Sequence, residues 1–133
     1  VKKVLAFASL LVVVGLSLTG CSSVQTAKDA KGKGDAKVYN KPIEEVWPEV
    51  KNAVAATGGT TEEANEAEHY VLASYSPSAF SWGEKVAVFC APIGTAGTKV
   101  EVVSKATVKT NITATNRAPQ IFDQLNKALK TQP

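Results

Sequence analysis

The chain has 133 residues, 44% of them hydrophobic and 20% charged, with a formal net charge of +3. That length holds one small domain, while two cysteines, Cys21 and Cys90, exclude a disulfide framework. Setting aside Lys2 and Lys3 leaves a net charge of +1, and from Val38 onward nine basic residues face ten acidic ones, so there is no electrostatic footprint for nucleic acid.

Lys2 and Lys3 give a positive start, and residues 4–18 then run without a charge. About 15 apolar residues are fewer than the roughly 20 a spanning helix needs, and they suit the apolar region of a signal peptide. The run ends in Leu18-Thr19-Gly20-Cys21, followed by Ser22-Ser23. This arrangement resembles the lipobox of bacterial lipoproteins. The resemblance implies that the Cys21 thiol takes a diacylglyceryl group, that a peptidase cuts before it, and that the freed amine is acylated. The competing readings are an uncleaved signal anchor and a buried N-terminal helix carrying a chance cysteine. Residues 1–20 are therefore expected to be a signal peptide, and acylation of Cys21 would leave Cys90 without a disulfide partner.

Residues 22–36 are small, polar and rich in Gly, Lys and Ala, so residues 21–36 are expected to form a lipidated cysteine on a flexible tether. The lysines there, Lys28, Lys31, Lys33 and Lys37, either touch anionic headgroups or belong to a solvated spacer. The globular domain is expected over 37–133. Its first strand falls at 37–40, and Pro42 suits the opening of a helix. Ile43, Val46, Trp47, Val50 and Val54 fall on one helical face, with Gly58-Gly59 at the close. Pro48 interrupts that helix, predicting either a kink or a main helix that begins there.

Residues 60–64 are a candidate polar strand, and 69–75 are rich in strand formers. Residues 76–83 make a loop, and 84–91 read as the clearest buried strand, closed by Pro92. A turn at 93–97 leads into alternating apolar and polar residues over 98–109, predicting a half-buried strand with Lys99, Glu101, Lys105 and Lys109 outward. Residues 119–130 predict a last helix with Ile121, Phe122, Leu125 and Leu129 on its inner stripe. The fold class expected is α+β: one antiparallel sheet of about four strands, in β-α-β-β-β-α order, with two helices on one face. The other face is expected to be polar or half-open.

Ile43-Glu44-Glu45-Val46-Trp47, Lys85-Val86-Ala87-Val88, Gly97-Thr98-Lys99-Val100-Glu101-Val102 and Ile121-Phe122-Asp123-Gln124-Leu125 resemble positions in small bacterial lipoproteins of a domain-of-unknown-function family. The resemblance spans most of 38–130 and implies a shape similar to the helix-grip arrangement, also found in the lipoprotein component of the outer-membrane barrel-assembly machine. It transfers no active-site residue. Pro48 and the aromatic insert at Phe80 and Trp82 depart from it.

Candidate chemistry is sparse. Cys90 alternates with valines as a small core residue does, against the reading of a reactive thiol. His69 is the only histidine, which excludes a zinc set, and a His69–Cys90 nucleophilic pair lacks a third orienting group. Glu62, Glu63, Glu66 and Glu68 lack the spacing of a calcium loop and read as solvated surface. Asn111-Ile112-Thr113 matches a glycosylation sequon without meaning for a lipoprotein. Lys99, Lys105 and Lys109 either meet phosphates or guard an edge. Tyr75, Phe80 and Trp82 crowd one loop, either as a contact surface or as a lid on the domain's own core.

The expectation is a non-enzymatic envelope lipoprotein, without cofactor or metal, acting as a binding or assembly module. Its partners would be a membrane, through the lipid, and an envelope protein. The lipoprotein resemblance implies that Ser22, following the acylated cysteine, favours the outer membrane in a cell with two membranes. The alternative is a carrier of a small apolar ligand in a cavity lined by Trp47, Val88, Val102 and Phe122.

Overall fold

The computed structural model describes residues 29–76, 83–106 and 116–131. The expected signal segment, Cys21, Phe80, Trp82, Lys109 and the sequon at 111–113 lie outside the described residues. The elements run β1 (Asp35–Tyr39), α1 (Ile43–Ala56), β2 (Thr60–Asn65), β3 (Tyr70–Tyr75), β4 (Glu84–Ile93), β5 (Gly97–Ala106) and α2 (Ala118–Ala128). All strands join one antiparallel sheet in the order β1-β5-β4-β3-β2. The fold is α+β, as expected, but the sheet has five strands rather than about four. The strand that the hydrophobic pattern underweights is β2, whose sequence TTEEAN is polar on both faces. As an edge strand it pairs only with β3, and backbone bonds hold it without any apolar alternation. A register shift between Thr61 and Glu63 interrupts its ladder, one of the devices that blunts an open edge.

β1 and β2 are the two edges, so α1 carries the chain across the whole sheet between them. Its Val46, Trp47, Val50, Ala53 and Val54 are buried, as the 3.6-residue spacing requires. Pro48 lies exposed inside a helix that runs on through it, so the helix does not begin there. The C-terminus closes with Gly58 N–H donating to the Ala55 carbonyl at 3.0 Å and Gly59 N–H to the Val54 carbonyl at 2.9 Å. Gly58 has φ +89, the left-handed conformation this cap demands. α2 ends in the same pattern, with Thr131 N–H donating to the Asn126 carbonyl at 2.9 Å, but its left-handed residue is Lys130 at φ 51.

Alternation along the strands divides the apolar residues between two layers. Tyr39, Val71, Ala73, Val86, Val88, Cys90, Val100 and Val102 meet the buried residues of both helices in the main core. Tyr70, Leu72, Ala87, Phe89 and Val103 point the other way and cluster with Ala30. The second face is therefore apolar at its centre rather than polar. β4 also extends past Pro92 to Ile93. β3 reaches only Phe89, so Pro92 sits where β4 has a single neighbour, a position at which a missing N–H is tolerated.

Candidate functional site

The residues proposed for chemistry are placed by strand parity. Cys90 falls on the helix-facing side of β4 and is buried. Loss of solvation pushes its thiol up from about 9 to about 12, which keeps it protonated. His69 has φ 51 at the β2–β3 turn, and its carbonyl accepts from the Cys90 N–H at 2.8 Å. Its ring lies edge-on to Trp47, 5.3 Å between centroids. The link between His69 and Cys90 is thus through backbone, while the imidazole serves an aromatic contact.

The acidic residues near that turn disperse to separate partners. The Lys85 ammonium donates to Glu62 and the Tyr70 hydroxyl to Glu63. Glu66 takes the Lys51 ammonium at 2.7 Å on one oxygen and the Trp47 indole N–H on the other. The Lys51 bond, then the indole, hold Glu66 below the usual carboxylate range, and the Lys85 bond does the same for Glu62. Lys51 also sits 5.1 Å from the Trp47 ring centroid. No group of three candidate metal ligands occurs among the described residues.

Tyr75 is 4% exposed and belongs to the main core, so of the proposed aromatic surface this residue is instead internal. Its hydroxyl lies 2.7 Å from the Thr57 hydroxyl, and the Arg117 guanidinium stacks 4.6 Å from its ring centroid. Burial raises the Tyr75 hydroxyl above its ordinary value. Arg117 Nε donates at 2.5 Å to Glu84, whose side chain is 1% exposed. The Arg117 amide donates to the Ser104 hydroxyl at 3.0 Å. This buried ion pair fastens the start of β4 to the start of α2. Nothing in the sequence pairs these two residues, since they lie 33 positions apart.

A second buried carboxylate was also illegible. Glu101 falls in an alternating pattern that predicts outward polar residues, yet it is 5% exposed. One of its oxygens accepts the Gly32 N–H at 2.6 Å and the Gly34 N–H at 3.1 Å. Residues 29–34, read in sequence as flexible tether, thereby pack on the face opposite the helices, with Ala30 in the second apolar cluster and the Lys31 ammonium 5.7 Å from the Phe89 ring centroid. Asp35 and Ala36 already belong to β1. Gly34 passes so close to β5 that a Cβ there would stand 2.3 Å from the Val102 carbonyl oxygen. The glycines that suggest flexibility are a condition of close docking.

Trp47, Val88 and Val102 are buried in the main core, with Phe122 packed against it. Lys37 donates to the Asn126 side-chain oxygen at 2.6 Å, and the Tyr39 hydroxyl reaches the same atom at 3.2 Å, tying β1 to α2. Compared with the models of known protein families, the chain matches none, and no curated protein matches it.

Proposed function

We propose that the chain is an exported lipoprotein, cut before Cys21, held to a membrane of the cell envelope by lipid on that cysteine, and acting there as a binding or assembly module. The observation that carries this is the N-terminal order: two lysines, an uncharged apolar run too short to span, then Leu18-Thr19-Gly20-Cys21-Ser22. Resemblance to the helix-grip shape, with both helices over one sheet face, fits a small scaffold that works by contact. The side chains available for chemistry are engaged in holding that scaffold together: Cys90 in the core, Glu84 with Arg117, and Glu101 with the Gly32–Gly34 turn. Ser22 after the lipidated cysteine directs the protein to the outer membrane in a two-membrane cell.

Metabolic labelling with palmitate and detergent-phase partition test the anchor. The native chain is expected to carry label and enter the detergent phase, and Cys21→Ala to do neither. Equal partition of both into the aqueous phase would contradict the reading.

A further inference from the structure

The sheet face opposite the helices has an exposed end as well as a buried centre. Val38 on β1 pairs with Lys99 on β5, which pairs with Ala91 on β4, so these three side chains share one row of that face. Ile93, two residues beyond Ala91, continues the same face opposite Gly97, which has no side chain to cover it. Val38 is 53% exposed and Ile93 47%, the two large hydrophobics most open to solvent among the described residues. Lys99 is exposed between them, and the docked turn, held over the next row by Glu101 and Phe89, carries exposed Lys31 and Lys33.

The charges of this face are divided. The described acidic side chains in its β1–β5 half are Glu101, which is buried and spent on two backbone N–H groups, and Asp29, exposed at the start of the docked turn. Glu62 and Glu63 reach the face from β2, at the opposite edge, where Lys85 and Tyr70 hold them. One half therefore presents apolar side chains with three exposed lysines against the one exposed carboxylate of Asp29, a net basic surface of the kind that lies in a bilayer interface and meets anionic headgroups.

The anchor limits where that half can be. Seven residues, 22–28, lie between Cys21 and Asp29, where the docked turn begins, so eight residue-to-residue steps join the two. However they run, they span at most roughly 29 Å. Because Glu101 holds Gly32 and Gly34, the chain leaves the domain from this face and not from the helical one.

We infer that the Val38–Ile93 end of the sheet, with Lys31, Lys33 and Lys99, is the surface the domain lays on an anionic lipid bilayer, leaving the two helices facing away from it. This rests on lipidation of Cys21, and it converts the lipid from a simple tether into one of two contacts that orient the domain. With the diacylglyceryl and amine-linked chains on Cys21 the lipid alone holds the protein firmly, so the basic surface sets the orientation of the domain rather than its attachment.

The test uses the lipidated chain purified from membranes, with acylation of Cys21 verified by mass, in vesicles of phosphatidylcholine and phosphatidylglycerol in equal parts. Ile93→Cys and Glu44→Cys each take one fluorophore, since Cys90 is buried and Glu44 is exposed on α1. A nitroxide-bearing lipid is expected to quench the label at position 93 about twofold more than that at 44. Lys31→Glu with Lys99→Glu is expected to remove the difference. Equal quenching at both positions, stronger quenching at 44, or a difference that survives charge reversal would overturn the assignment. An unmodified Cys21 in the same mass measurement would instead remove the lipoprotein reading, and this surface with it.

Discussion

Glu84 and Glu101 are the two carboxylates buried in the described residues, and each is satisfied differently. Glu84 has the Arg117 guanidinium, so removing that cation leaves charge in a site from which water is excluded. Arg117→Ala is expected to cost about 3 kcal/mol in urea unfolding, well above the loss from an exposed pair such as Lys127–Asp123. A loss no larger than a surface pair's would show that Glu84 does not depend on Arg117. Cys90 and Tyr39 set the alkaline limit. Burial raises both to about 12, from ordinary values near 9 and 10. Below pH 9 both states keep these protons. Between about 9 and 12 the unfolded chain releases them while the folded chain retains them, so stability falls as pH rises through that window. Unfolding midpoints measured from pH 8 to 11 are expected to decline, and Cys90→Ala to decline less steeply even if its starting stability is lower.

Element by element, legibility follows periodicity. α1, β4, β5 and α2 carry apolar patterns strong enough to place them, because each buries a stripe or a face in the main core. β2 carries none, since an edge strand needs only backbone partners, and the sheet therefore has one more strand than hydrophobicity announces. The turn at 29–34 misleads more deeply. Gly, Lys and Ala describe a flexible chain in composition, but the Glu101 carboxylate and the close pass of Gly34 to Val102 turn the same residues into a docked segment. Gly34→Ala is expected to displace the turn, seen as faster amide exchange at Gly32 and Val103 with the helices unchanged. Exchange that stays slow at Gly32 would show that the turn does not need the close approach. Pro48 makes the opposite case, a local signal overridden by packing. Val46, Trp47 and Val50 hold α1 together across a residue that cannot bond the Glu44 carbonyl. Because Pro48 is exposed, Pro48→Ala is expected to stabilise the domain by about 2 kcal/mol, read from the urea midpoint, with no cavity to offset it. An unchanged or lower midpoint would mean that the proline is needed where it stands.

For the whole molecule, the polarity of the sheet organises the proposal. One face is closed by two helices and contains Cys90, whose alternation with valines reads as core, Trp47, offered as a cavity lining, and Tyr75, left open between contact surface and core. The other holds the docked turn, an apolar centre and a basic, partly apolar end. The proposed membrane module needs a rigid body and a defined exit for its anchor, and Glu101 with Gly32 and Gly34 would supply that exit. Everything above this scale depends on lipid at Cys21. The most direct measurement is the intact mass of the protein recovered from the membrane fraction, beside that of Cys21→Ala. The account predicts a native chain that starts at an acylated Cys21 and a variant that remains uncut and unmodified. A soluble native chain, unmodified at Cys21, would contradict it.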